Sequence, residues 1–258
     1  MVEHQPSKLI MRVRFPSPAP DDKKTGFLPV IFLSYNKFMN FEQLRKHLLT
    51  IGDAKHASFS KSLSNSVYIS IGVKNPVLKA LVKENLKDEE LKLGDFKLGE
   101  YLEVDFIYFA LGVSRSKTVD EQLDFLDKNI YKAKSWAITD CVAPYIKKIT
   151  FEKYWDFFKK NNDSKYVYVR RMSYILGLKF YKDKRILDVI PYIKNNEDYM
   201  VMMAEAWLLA TVAIAFKDEI FDFLSECKDL TLKRKTISKI SDSFRFTEEE
   251  KNRFKSLR

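Results

Sequence analysis

The stretch TVDEQLDFLDKNIYKAKSWAITDCVAPYIKK, Thr118–Lys148, holds one complete structural unit and decides the fold. It opens with Thr118-Val-Asp-Glu121, a capping-box pattern. In that pattern a threonine side chain and a glutamate three residues on satisfy each other's backbone amides at a helix start. The apolar periodicity predicts one helix over 118–131 and a second over 135–148. The same pairing recurs downstream, at 150–160 with 164–180, 183–194 with 197–216, and 217–226 with 230–242. Each unit spans about 30–35 residues, close to the period of helical solenoids. Upstream, helices are predicted at 40–50, 53–62, 75–86 and 98–113. Asn75-Pro76 places proline in a first helical turn, where its missing amide costs nothing. A last helix, 246–257, starts on a second capping box at Thr247–Glu250. The segment 56–70 (HASFSKSLSNSVYIS) is serine-rich and turns β-branched at its end. The expectation is therefore an all-α solenoid, in which stacked pairs leave one helix of each unit lining a concave face.

Composition agrees with this. The chain has 258 residues, of which 46% are hydrophobic, with only 7 glycines and 8 prolines. Large sheets need many turns, and turns draw on glycine and proline. The net charge of +10 suits a polyanion such as nucleic acid or an anionic membrane, although a lysine-rich solvated surface gives the same number. The two cysteines and three histidines form no cluster with metal-ligand spacing. No disulfide framework is implied, which fits a reducing cytoplasm. No apolar run reaches the roughly 18 residues of a membrane span. The chain is expected to be cytoplasmic, monomeric and free of metal and cofactor.

The first 38 residues read differently. Arg12-Val-Arg-Phe-Pro-Ser-Pro-Ala-Pro20 resembles a transfer-RNA gene translated by accident, because Val13-Arg14-Phe15 can encode the T-loop consensus and Pro20 the terminal CCA. Residues 1–38 are expected to be a disordered, non-native extension, with Met39 as the true start and 39–258 as a single repeat domain. An alternative reading makes Phe27–Tyr35 a signal-peptide core after Lys23 and Lys24, but no small-residue cleavage site follows it. Removing the extension takes away six basic and three acidic residues, so +10 becomes +7.

Three segments carry candidate chemistry. On a wheel at about 100° per residue, Trp136, Asp140, Ala143 and Lys147 share a sector of about 60°, opposite Ile138, Val142 and Tyr145. A tryptophan and a carboxylate one turn apart, off the aliphatic stripe, make a candidate site. They also suit inter-repeat packing. Arg170 and Arg171 interrupt an aromatic, apolar helix; arginine's planar fork suits phosphate, and equally an inter-repeat salt bridge. The wheel sets Arg171 on the stripe of Ile175 and Leu178 and leaves Arg170 outward. The helix around Tyr199–Ala210 is apolar nearly all round. Glu205 within it needs a partner or a raised pKa, and Arg170 or Arg171 is the expected partner. Arg171 follows Trp136 by 35 positions and Trp207 follows Arg171 by 36, about one repeat each time.

These residues resemble the AlkD-like DNA alkylation repair family across roughly residues 40–258. The resemblance rests on Ile71-Gly72-Val73-Lys74-Asn75-Pro76-Val77-Leu78, on the W-x-x-x-D of Trp136 and Asp140, and on the arginine helix at Arg171. AEAWLLA around Trp207, and Arg234-Lys235 with Ser243-Phe244-Arg245, complete it. It implies a HEAT-like solenoid with a basic concave face that binds duplex DNA. It also implies hydrolytic release of cationic N3- and N7-alkylated purines. By motif, Asp140 resembles the catalytic carboxylate and Trp136 and Trp207 the aromatic pair flanking the deoxyribose. Arg171 resembles the phosphate-contacting arginine. Arg170, Tyr199, Lys147 and Arg234 are further candidate DNA contacts. One departure stands out: family members often carry arginine three residues after the second tryptophan, where this chain has Ala210. A non-catalytic DNA-binding repeat protein and a protein–protein scaffold are the rival readings.

Overall fold

Twelve α-helices, joined by short 3-10 turns, follow one another along the chain of the computed structural model, which describes residues 39–64, 67–193 and 198–258. They are α1 Phe41–Ile51, α2 Ala54–Ser64, α3 Asn75–Glu84, α4 Leu102–Arg115, α5 Val119–Asn129, α6 Trp136–Val142, α7 Phe151–Asn161, α8 Val167–Gly177, α9 Tyr199–Val212, α10 Lys217–Glu226, α11 Leu230–Asp242 and α12 Glu248–Lys255. Among the described residues there is no strand, only an isolated bridge between Ile69 and Tyr101. The all-α expectation holds. The reading of residues 1–38 as a non-native extension lies outside the described residues.

Two layers emerge from which helices touch. α4 packs on α6, α6 on α8, α8 on α9 and α9 on α11, giving one continuous layer of successive second helices. α5 packs on α4, α7 on α8, α10 on α9 and α12 on α11, forming the other layer. The layers are those of a helical repeat, but the pairing differs from the prediction: 150–160 pairs with 164–180 as expected, whereas 118–131 packs mainly on α4 and 217–226 on α9, the helices before them, instead of on those that follow. The outer helix α10 buries a narrow stripe, Ile220 and Leu224, whereas the inner helix α9 is apolar on several sides. α9 buries Val201, Met202, Ala204, Glu205, Ala206, Leu208, Leu209, Ala210 and Val212, and so is covered on most of its surface, with Trp207 on the face left partly open. Both predicted capping boxes form, Thr118 with Glu121 and Thr247 with Glu250.

Two predicted helices come out differently. The segment 183–194 forms a 3-10 helix, Lys184–Tyr192, instead of an α-helix. Pro191 has no amide to donate, and its ring would clash with the carbonyl four residues earlier in an α-helix. In a 3-10 helix residues three apart eclipse. Ile186 and Val189 are accordingly buried together, and Tyr192 stands edge-on to Trp155 and Phe158 at 5.6 and 5.5 Å. The second change is in 135–148. α6 stops at Val142, Pro144 sits in a single 3-10 turn, and Lys148 takes a left-handed φ of 56° that leads into α7.

The Ile71-Gly72-Val73 segment is a structural device. Glu103, in the first turn of α4, is buried and accepts bonds from the Ser70 hydroxyl and the Ile71 and Gly72 amides at 2.8–3.0 Å. Gly72 has a φ of +90°, and a Cβ there would lie 2.0 Å from the Asp53 carbonyl oxygen. Nearby, the Arg115 guanidinium at the end of α4 collects the Asn85, Leu86, Asp88 and Leu91 carbonyls just beyond α3. Its donors thereby satisfy carbonyls of the irregular segment that follows α3, which have no helical partner of their own.

Candidate active site

The site is built on the inner layer. Ser135 caps α6 by accepting from the Ala137 amide at 3.2 Å, which fixes where the helix starts and places Trp136 and Asp140 one turn apart. Ile138, Thr139 and Val142 are buried, while Trp136 and Asp140 remain partly exposed on another face. The wheel reading of these two is borne out in geometry. It fails for the other members of that sector. Ala143 is buried, and Lys147 lies beyond the helix end, exposed, because Pro144 ended the helical register on which the wheel relied.

Asp140 does not stand alone. Arg171 of α8 donates to it through two parallel bonds, Nε to Oδ1 at 2.9 Å and a terminal nitrogen to Oδ2 at 2.7 Å. The pair is enclosed: the two side chains are 8% and 5% exposed. The remaining Arg171 terminal nitrogen donates to the Met200 carbonyl in α9, so this guanidinium ties three successive inner helices together. Such bidentate, charge-assisted pairs are among the strongest hydrogen bonds in proteins. Thr139 adds a hydroxyl that reaches Asp140 Oδ1 at 2.9 Å and the Trp136 carbonyl at 2.8 Å, its one hydrogen serving either. A carboxylate offers about four acceptor positions. Arg171 fills two and Thr139 reaches a third on Oδ1, so one on Oδ2 is left for a further partner among the described residues.

Arg170 is paired as well, with Asp198 and with the Ser164 carbonyl at 2.7 Å. Both arginines thus form inter-repeat links, and neither is the partner expected for Glu205. That carboxylate, fully buried in α9, lies against the Tyr174 hydroxyl. Burial first, and the Glu205 charge second, push the Tyr174 phenol well above its ordinary range.

α9 and α11 supply the rest of the site. Trp207 is partly exposed on α9, and Tyr199, at its start, is 51% exposed. Two lysines of α11 cover them: Lys235 lies 5.7 Å from the Tyr199 ring centroid and Lys239 lies 5.9 Å from that of Trp207. Lys239 also feels Asp140 and Arg171. Burial, then Arg171, push its ammonium down to about 8, against the opposing pull of Asp140. Through Lys239 the site joins α6, α8, α9 and α11. Sequence reasoning named Arg234 on this helix and missed its neighbours. The pattern was available: Lys235 and Lys239 are one turn apart beside the buried Leu232, Thr236 and Ile240 stripe, whereas Arg234 points to the exposed far side.

No metal-holding group of three or more His, Cys, Asp or Glu occurs among the described residues, and no helix there is long and apolar enough to cross a membrane. Cys141, next to Asp140, has its thiol pushed up to about 11, mainly by burial, which makes it a poor nucleophile. The arrangement offers an oriented carboxylate, two partly exposed indoles and two lysines.

A comparison with curated proteins found no match. Residues 44–241, however, match the family model described as DNA alkylation repair enzyme. That match spans the inner layer from α4 to all but the last residue of α11, and every residue of the site just described. It agrees with the repeat architecture, and the chain belongs to the DNA alkylation repair enzyme family.

Proposed function

We propose that this protein hydrolyses the N-glycosidic bond of cationic N3- and N7-alkylated purines in duplex DNA, with the Asp140 carboxylate stabilising the charge that grows on the deoxyribose. The observation that carries this reading is the setting of Asp140: clamped by two donors of Arg171, 8% exposed, and keeping one acceptor position on Oδ2. Alkylation makes the purine a better leaving group, and positive charge develops on the sugar as the bond breaks, as in glycoside hydrolysis. A carboxylate fixed in advance in a poorly hydrated site stabilises that charge more than one in water. The open position on Oδ2 suits the attacking water. Trp136, one turn before Asp140, and Trp207 would pack on the sugar and favour its cationic form.

Arg171 acts in this scheme as a positioning residue that holds Asp140 in orientation. Phosphate contact falls to Lys235 beside Tyr199, to the exposed Lys147 and to the partly exposed Arg170. Neutralising phosphates releases counterions, so binding weakens steeply with salt.

The test is base release from N7-methylguanine duplex DNA by wild type and Asp140→Asn, with the melting temperature of each recorded. Removing the carboxylate is expected to lower release by about a hundredfold or more. Release by a folded Asp140→Asn within a few-fold of wild type refutes the assignment. A second reading, a non-catalytic DNA-binding member, is favoured by Ala210, a buried alanine where relatives often carry arginine. It predicts salt-sensitive duplex binding with no base release by the wild type.

A further inference from the structure

Lys239 is a basic side chain of the site that the hydrolysis above leaves without a task. It reaches from α11 to within 5.9 Å of the Trp207 ring centroid, and it lies close enough to Asp140 and Arg171 for their charges to act on it. Trp207 and Asp140 are the two groups assigned to the deoxyribose. A sugar held against both of them therefore lies within reach of the Lys239 amine.

We propose that Lys239 is a nucleophile toward the abasic deoxyribose left after base loss, forming an imine with its C1′ aldehyde. This rests on the sugar placement proposed above. In the ring-opened abasic sugar the amine electron pair attacks C1′ and a C–N bond forms. The aldehyde oxygen takes up two protons and leaves as water. The resulting iminium makes the C2′ hydrogen acidic. Its loss to water sends an electron pair into a C2′–C3′ double bond as the C3′–O bond breaks, expelling the 3′ phosphate and cutting the strand. Hydrolysis of the imine returns the lysine. No oxidant or reductant is consumed.

The surroundings favour the free amine that this step needs. Burial contributes most, Arg171 and Lys235 add to it, and Asp140 and Asp242 oppose it, with the balance pushing the ammonium down to about 8. Compared with an ordinary lysine near 10.4, the fraction of free amine at neutral pH rises by roughly two hundredfold. Desolvation and a neighbouring cation are the two recognised ways of activating a lysine for imine chemistry. Trp207 adds a flat wall that limits where the amine can go.

The experiment uses the full chain with duplex DNA carrying a preformed abasic site, with sodium borohydride to reduce any imine to a stable amine. A covalent protein–DNA complex is expected, with peptide mapping placing the link on Lys239. Its rate is expected to rise between about pH 6.5 and 9 as the amine deprotonates. Lys239→Arg, which keeps length and charge, is expected to lower trapping by about tenfold or more while still binding the DNA. Absence of a complex, a link mapped to another residue, or undiminished trapping in Lys239→Arg overturns the proposal. Mapping in the wild type decides the matter even if the variant folds poorly. Because the abasic site is preformed, the outcome is independent of base excision. Trapping without purine release would keep this inference and sink the glycosylase reading, and release without trapping would do the reverse.

Discussion

Replacing Arg171 with methionine removes three hydrogen bonds at once: two to Asp140 and one to the Met200 carbonyl. Methionine fills a similar volume, so the main cost is electrostatic. The Asp140 side chain, 8% exposed, is left enclosed without its cation. Breaking a buried pair by removing one partner costs about 3–5 kcal/mol, because the stranded charge cannot regain its hydration. For a chain of this size 1 kcal/mol shifts the melting temperature by roughly 2–4 °C, so a fall of about 6–20 °C is expected. Asp140→Asn strands the guanidinium instead, with an amide nitrogen facing one of its donors. The double variant Asp140→Asn/Arg171→Met strands neither charge. It should therefore melt above the temperature predicted by adding the two single costs, with a coupling of about 1 kcal/mol or more. Thermal or urea unfolding of all four proteins measures this. Single costs that add within about 0.5 kcal/mol, or an Arg171→Met that melts within about 2 °C of wild type, would refute the account of the pair as a buried link.

Two further predictions concern the scaffold that holds the site. Asp105 is fully buried and accepts from the Tyr68 hydroxyl at 2.5 Å and the Gly99 amide at 2.9 Å, yet burial outweighs these bonds and raises its carboxyl to about 6. A raised folded-state pKa means the native state holds this proton more tightly. Its contribution to stability is present in full below the unfolded value near 4 and is lost as pH rises through about 6. Unfolding measured from pH 4 to 7 should show that decline in wild type and its loss in Asp105→Asn. Equal slopes for the two would contradict it. Gly112 lets α4 and α5 approach closely, since a Cβ there would come 1.9 Å from the Phe125 ring. Gly112→Ala should destabilise by about 1–3 kcal/mol despite alanine's better helix propensity, and a stabilised variant in denaturant unfolding would show that the ring moves freely.

Much of the architecture is local in origin, which is why it was legible in the sequence. Capping boxes at Thr118 and Thr247, the proline at Asn75-Pro76, and an apolar stripe recurring once per turn each act within a few residues. The pairing of helices follows from short loops, and the position of Trp136 relative to Asp140 follows from helical pitch. Where a local rule was extrapolated past a proline, it failed. Lys147 left the sector of Asp140 because Pro144 ended the helix, and Pro191 set 184–192 into a 3-10 coil with its own three-residue stripe.

What tertiary structure alone decided is which charges meet. Asp140 and Arg171 are 31 positions apart, Arg170 and Asp198 are 28, and neither pairing follows from the periodicity of any one helix. Both arise because α6, α8 and α9 lie side by side in the inner layer, where an enclosed charge must find a partner or remain in water. The same stacking carried Lys239 from a remote helix to Trp207 and Asp140. The sequence by itself determined the helices, their repeat and the residue types at the site. Stacking determined that the carboxylate is clamped by an arginine and approached by a lysine, because electrostatic partners depend on distance in space and periodicity reports distance only along one helix.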